Sequence, residues 1–154
     1  MFKFLRKINF FLKPKKDFVK HNEEKIYGVQ KDLIFQVYWK SLSIGKGPAV
    51  ILKAFDKEIL KFDCLGKDRG HYHIAPYYHF RIYFIEETVQ DQIKRSLQEL
   101  RTNGMKYLAL QKDQKIKDLK VDIEQYKKIL DLVERKLISF HFNIQKENIK
   151  SNPN

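Results

Sequence analysis

Leu33-Ile34-Phe35-Gln36-Val37-Tyr38-Trp39-Lys40 is the stretch that decides the fold. Leu33, Phe35, Val37 and Trp39 alternate with Ile34, Gln36, Tyr38 and Lys40, and a period of two marks a strand with one face turned to a core. Three more such stretches follow at short intervals. Residues 49–55 are rich in β-formers and end at Asp56-Lys57, which suits a tight hairpin turn. Leu60, Phe62 and Cys64 alternate with Ile59, Lys61 and Asp63; later, Phe80, Ile82 and Phe84 alternate with His79, Arg81, Tyr83 and Ile85. The links are short, so these strands are expected to be antiparallel neighbours. On this parity Cys64 points inward with Leu60 and Phe62 as an inert core thiol.

Beyond the strands the period changes to that of helices. Val89, Ile93, Leu97 and Leu100 form one apolar stripe, with Thr88 as a cap and Asn103-Gly104 as the stop. A second helix is expected from about 105 to about 140. Its apolar positions, Ile116, Leu119, Ile123, Tyr126, Leu130, Val133 and Leu137, keep gaps of 3 and 4 over three heptads. A helix that long cannot lie wholly on a four-stranded sheet, so part of the seam is expected to meet another helix, either one of the chain's own earlier helices or that of a second copy. The expected fold is therefore α+β: an antiparallel sheet of about four strands, then two helices, the second long. The units read as a basic amphipathic N-terminal segment and linker (1–25), an α+β core (26–110), the heptad helix (111–144) and a disordered tail (145–154).

In the N-terminal segment Phe4, Ile8, Phe11 and Leu12 recur at helical spacing, with Lys3, Arg6, Lys7 and Lys13 opposite, and Pro14 ends the pattern. A short basic helix of this kind can pack on the domain, fray, or make a nucleic-acid or peripheral membrane contact through residues 1–13. Charged and polar residues interrupt the apolar run that a secretion signal needs. No run approaches the roughly 20 apolar residues of a spanning helix. With a single cysteine, no intramolecular disulfide can form, which suits a reducing, cytoplasmic setting.

The formal charge is +12, spread as +5 over residues 1–25, +4 over 26–110 and +3 over 111–154. No part is acidic, so a polyanion is the natural electrostatic partner: nucleic acid, an anionic membrane face or an acidic protein. Lysine is also the default surface residue of a low-GC genome, which explains part of the excess.

The loop Ser43-Ile44-Gly45-Lys46-Gly47-Pro48 lacks the spacing of a phosphate loop and is read as a hairpin connection. Residues 63–79 carry more. If the chain is extended there, His71 and His73 share one face. Two imidazoles so placed can bind a divalent metal, act as acid and base on a phosphodiester, or brace a strand edge. Asp63, Asp68 and His79 are candidate third ligands or orienting groups. Lys67, Arg69 and Arg81 can hold phosphate, and Tyr72, with Tyr77, Tyr78 and Tyr83, can stack on bases.

The order Phe62-Asp63, Gly66-Lys67 and His71-Tyr72-His73, followed by a strand and a helix, resembles the small TumE-type toxins of bacterial toxin–antitoxin modules. Those carry Tyr-Asp-Asn, Gly-Lys and His-x-His in the same order. Here Cys64 replaces the asparagine, the glycine sits one residue early and Gly70 is added before His71. The resemblance spans roughly residues 33–100; a similar Phe-Asp-Cys…Gly-His-Tyr-His segment occurs in small bacterial proteins with no assigned activity. It implies a bacterial cytoplasmic protein that binds or cleaves RNA, with His71, His73 and Asp63 as catalytic residues and an antitoxin as partner. The alternative is a non-enzymatic module that self-associates through the heptad helix. No cofactor is called for, beyond a divalent metal with His71, His73 and His79 as candidate ligands.

Overall fold

Alternation in the sequence becomes burial in the structure. The computed structural model describes residues 20–151. In it the chain forms β1 (Lys20–Gln30), β2 (Leu33–Leu42), β3 (Gly45–Ala54), β4 (Lys57–Asp63), β5 (His71–Ile74) and β6 (Ile82–Tyr83). Then come α1 (Val89–Ala109), α2 (Gln114–Lys117) and α3 (Ile123–Ser151). The six strands make one antiparallel sheet in chain order. The basic helix expected over residues 1–13 lies outside the described residues.

Leu33, Phe35 and Val37 of β2, Val50 and Leu52 of β3, and Leu60 and Phe62 of β4 turn to the helices. The other parity of β2 and β3, Tyr38, Ala49 and Ile51, forms a separate small cluster that contains no helix residue. Cys64 is buried in the helix-side core, with Sγ 3.5 Å from Ser96 Oγ.

Two strands exceed the expected four. β1 escapes a period-two reading because its first half is charged and two register shifts interrupt its pairing with β2. Charged residues on an edge strand block pairing with other chains and also hide the strand's signature. β5 is the His71–Ile74 segment itself. β6 shrinks to two residues. The third hairpin turns at Phe55-Asp56, one residue before the expected pair, and both residues adopt the positive φ of a primed two-residue turn.

The helices depart further from expectation. Thr88 caps α1 by accepting from Asp91 N, as expected, but α1 runs through Asn103-Gly104 to Ala109. A Cβ at Gly104 would lie 2.3 Å from Tyr126 Oη, so this glycine opens space for α3 rather than ending α1. The long helix expected from 105 to 140 is broken. Asp113 caps α2 through Lys115 N, and Asp122 accepts from Gln125 N at the start of α3. The heptad seam survives the break because it is a core face. Ile116, Tyr126, Leu130, Val133 and Leu137 are buried in the chain's own core, Leu119 packs against it, and Ile123 stays 43% exposed. Tyr126 sits 5.3 Å from the Phe35 ring and Phe140 5.8 Å from Trp39. The seam read as a partner surface thus packs on the chain's own sheet and on α1. Residues 145–151, expected as a disordered tail, continue α3.

Candidate functional site: an Asp–His–His cluster

Register builds the site. Asp63 on β4 lies opposite Ala49 on one side and His71 on the other; Lys61 lies opposite His73. Tyr38 is opposite Ala49 and Tyr83 opposite His71. Side chains on one row share a face, so Tyr38, Asp63, His71 and Tyr83 line up on the face away from the helices. His73 stands on the next row. The two imidazoles therefore do share a side of an extended segment, with ring centroids 5.0 Å apart and edge to face.

Each ring is fixed through Nδ1. His71 Nδ1 lies 2.8 Å from Arg69 O, and His73 Nδ1 lies 2.7 Å from Tyr78 O. A backbone carbonyl can only accept, so Nδ1 carries the proton and Nε2 keeps the lone pair in the neutral ring. His71 Nε2 lies 3.4 Å from Asp63 Oδ2. One ligand atom from each of Asp63, His71 and His73 lies within 4.8 Å of the others, and the three can hold a metal ion.

The cluster is largely sealed. Asp63 is 0% exposed, His71 4% and Lys40 6%, whereas His73 is half-buried. Lys40 Nζ donates to Asp63 Oδ2 at 2.8 Å. Asp63 Oδ1 is buried and has no hydrogen-bond donor among the described residues. Burial pulls His71 below the usual imidazole value, against the Arg69 carbonyl and the Asp63 carboxylate, which act to raise it. Burial also lowers Lys40, against the same carboxylate. Above its lowered pKa the His71 ring is neutral. Its Nε2 lone pair then faces a carboxylate, an arrangement of two acceptors that a cation relieves.

The loop from β5 to β6 roofs the site. The Tyr78 ring stacks on His73 with centroids 5.1 Å apart, and its hydroxyl donates to Glu58. Burial and that carboxylate push the phenol well above its ordinary range. On the opposite side, the Gln92 side chain clamps the β4–β5 loop, accepting from Gly66 N and donating to Gly66 O and Glu86 O. Gly70, just before His71, has no room for a Cβ because Gln92 Oε1 would be 2.1 Å away.

Other residues singled out in the sequence divide. Arg81 is exposed, and its charge acts on both His71 and Lys40. Lys67 is exposed and pairs with Glu87 at 3.1 Å; Asp68 and Arg69 are exposed on the β4–β5 loop. His79 is exposed, its ring tilted against that of Phe80 with centroids 4.1 Å apart, and it lies outside the cluster of ligand atoms. The Tyr72 ring packs between Phe62 and Phe84 on the helix side, 5.4 Å from each. Lys40 was missed as a site residue. Its signal was its parity with Tyr38 and the small residues Gly47 and Ala49 beside it on β3.

No family model, curated protein or solved structure matches the chain.

Proposed function

We propose that the chain binds single-stranded RNA on the sheet face away from the helices and cleaves it at the Asp63–His71–His73 cluster, as a toxin-type ribonuclease. The observation that carries this is the pairing of a half-buried imidazole, His73, with a fixed tautomer, and a basic and aromatic rim around it. Arg81 is exposed and electrostatically coupled to the cluster, and Lys61 lies opposite His73. Tyr77, Phe80 and Tyr83 are exposed by 64%, 59% and 55%. Cations neutralise phosphates and exposed rings stack on unpaired bases. His73 Nε2 is then the lone pair that takes the proton of a 2′-hydroxyl as its oxygen bonds to the adjacent phosphorus. The bond from phosphorus to the 5′-oxygen breaks, that oxygen leaving with a proton from water, while buried His71 and Asp63 hold the site in shape. The order of Asp63, Lys67, His71 and His73 resembles TumE-type toxins and points to the same substrate class.

The test is incubation of the purified chain with labelled RNA and with the DNA oligonucleotide of the same sequence. RNA is expected to be cut to products ending in a 2′,3′-cyclic phosphate, DNA to stay intact, and His73→Ala to be inactive with an unchanged circular dichroism spectrum. Intact RNA, or His73→Ala cutting as fast as wild type, would sink the proposal.

A non-enzymatic interaction module is favoured by a different observation. Leu132, Ile138, Phe142 and Ile149 on α3 are exposed by 40%, 39%, 56% and 73%. Scattered apolar side chains are common, but four along one helix suit contact with another protein, such as an antitoxin or a second copy. Light scattering of Phe142→Asp against wild type checks this; a monomer in both cases rules out self-association there.

A further inference from the structure

We propose that Asp63, His71 and His73 take up a divalent transition metal ion, and that Lys40 is the internal cation which the metal displaces from Asp63. Three independent features of the geometry point there. The first is the donor set. Two imidazoles and one carboxylate bring one donor atom each within 4.8 Å of the others. Zinc with ligands at about 2.0–2.1 Å needs donor atoms roughly 3.4 Å apart. His71 Nε2 and Asp63 Oδ2 are already 3.4 Å apart. His73 is the half-buried member of the three, next to the β5–β6 loop.

The second feature is how the rings are held. A metal-binding histidine almost always donates its other ring N–H to a carbonyl or carboxylate, which fixes the tautomer and raises the basicity of the ligand nitrogen. Both rings have that partner, Arg69 O for His71 and Tyr78 O for His73. A histidine that merely braced a strand edge would need only one such bond and would place its second nitrogen against solvent or a donor. His71 instead presents its second nitrogen to a carboxylate.

The third feature is charge balance in a sealed site. A buried carboxylate without compensation is costly. Lys40 Nζ covers Asp63 Oδ2, but Asp63 Oδ1 has no donor among the described residues, although it is fully buried. The two-His, one-carboxylate set leaves coordination positions open, and imidazole ligands suit zinc, iron, copper and nickel over magnesium or calcium. Lys40 is on a long, flexible side chain and can swing off Oδ2 when a dication arrives.

The proposal concerns the cluster used by the proposed function and rests on that reading only in taking the cluster to be reachable from solvent. Metal uptake is therefore measured with no RNA present, so an absence of cleavage leaves it standing and an absence of uptake leaves the cleavage proposal standing. The untagged full chain is titrated with zinc chloride by calorimetry and with cobalt chloride by visible absorption. One equivalent is expected, with the intense visible bands of four- or five-coordinate cobalt. His73→Ala and Asp63→Asn are expected to weaken uptake by at least about tenfold, and Lys40→Met to strengthen it. His73→Ala removes a half-buried ring and keeps the test meaningful if Asp63→Asn unfolds. No uptake by the wild-type chain, or uptake unchanged in His73→Ala, overturns the metal site. Uptake that Lys40→Met leaves unchanged or weakens overturns the displacement of Lys40.

Discussion

Lys40 Nζ and Asp63 Oδ2 meet at 2.8 Å across an intervening strand. Lys40 belongs to β2 and Asp63 to β4, and between them β3 presents only Gly47 and Ala49. No side chain can stand at Gly47, where a Cβ would lie 1.9 Å from the Cys64 carbonyl oxygen. The side chains of the pair are 8% and 1% exposed, so this is an ion pair of the interior. Such pairs contribute little net stability when complete, because desolvation offsets the attraction, yet they are costly to break.

Removing one partner is therefore expected to destabilise the fold more than removing both. Lys40→Met leaves the Asp63 carboxylate buried without its ammonium and should cost about 3–5 kcal/mol. The double variant Lys40→Met/Asp63→Leu should recover most of that loss. Urea denaturation of the two variants and the wild type measures it. A Lys40→Met chain as stable as wild type would mean that the pair carries no such penalty.

Gly104 and Tyr126 are coupled in the same way across the two long helices. Tyr126 Oη donates to Leu100 O at 3.0 Å and fills the space left by Gly104. Gly104→Ala forces the phenol aside and should cost about 1–3 kcal/mol. Tyr126→Phe removes the clashing oxygen along with one hydrogen bond, worth about 1 kcal/mol, so the double variant should lose less than the sum of the singles. Burial also raises the Tyr126 phenol well above its ordinary value. A raised value in the folded state means that the contribution is fully present below the unfolded phenol's pKa, about 10, and lost as pH climbs above it. Between pH 9 and 11, Tyr126→Phe should thus lose less stability than wild type; equal losses would show that this phenol is not the cause.

The sheet was legible where one period ran unbroken. Leu33, Phe35 and Val37 announced their face, and the same parity placed Cys64 inward and His71 and His73 together. It failed where local charge or a bulge broke the period, as in β1, and where a glycine served packing, as Gly104 does. The heptad seam was visible, but its spacing cannot reveal that Asp113 and Asp122 interrupt the helix while the apolar face continues. At the site, Asp63, His71 and His73 could be named because they lie on two adjacent short segments. Lys40 and Glu58 could not, because their roles depend on which strands end up as neighbours. The side of Tyr72 could not be read without register: next to two site residues in sequence, it points to the other side of the sheet.

Cys64 offers a check on that parity. Burial lifts its thiol to about 12 and Ser96 shares its proton. Only the thiolate attacks a disulfide reagent. The native chain should therefore leave such a reagent unreacted at neutral pH, and denaturant should release one equivalent at once. Rapid labelling of the native chain would place the thiol at the surface and shift β4 by one residue.

The two activities proposed for the cluster make one joint prediction, since a metal ion and a 2′-hydroxyl proton compete for the same imidazole lone pair. With His73 Nε2 engaged by zinc, it can no longer accept a proton. RNA cleavage by the wild-type chain is thus expected to slow as zinc is added and to recover with chelator. Lys40→Met, if it binds zinc more tightly, should be silenced at lower zinc. Arg81→Ala should behave differently. It leaves the zinc response intact, weakens RNA binding evenly across sequences and lowers the salt dependence of that binding by about one phosphate contact. Cleavage that rises with zinc would show that the metal, not His73, activates the nucleophile.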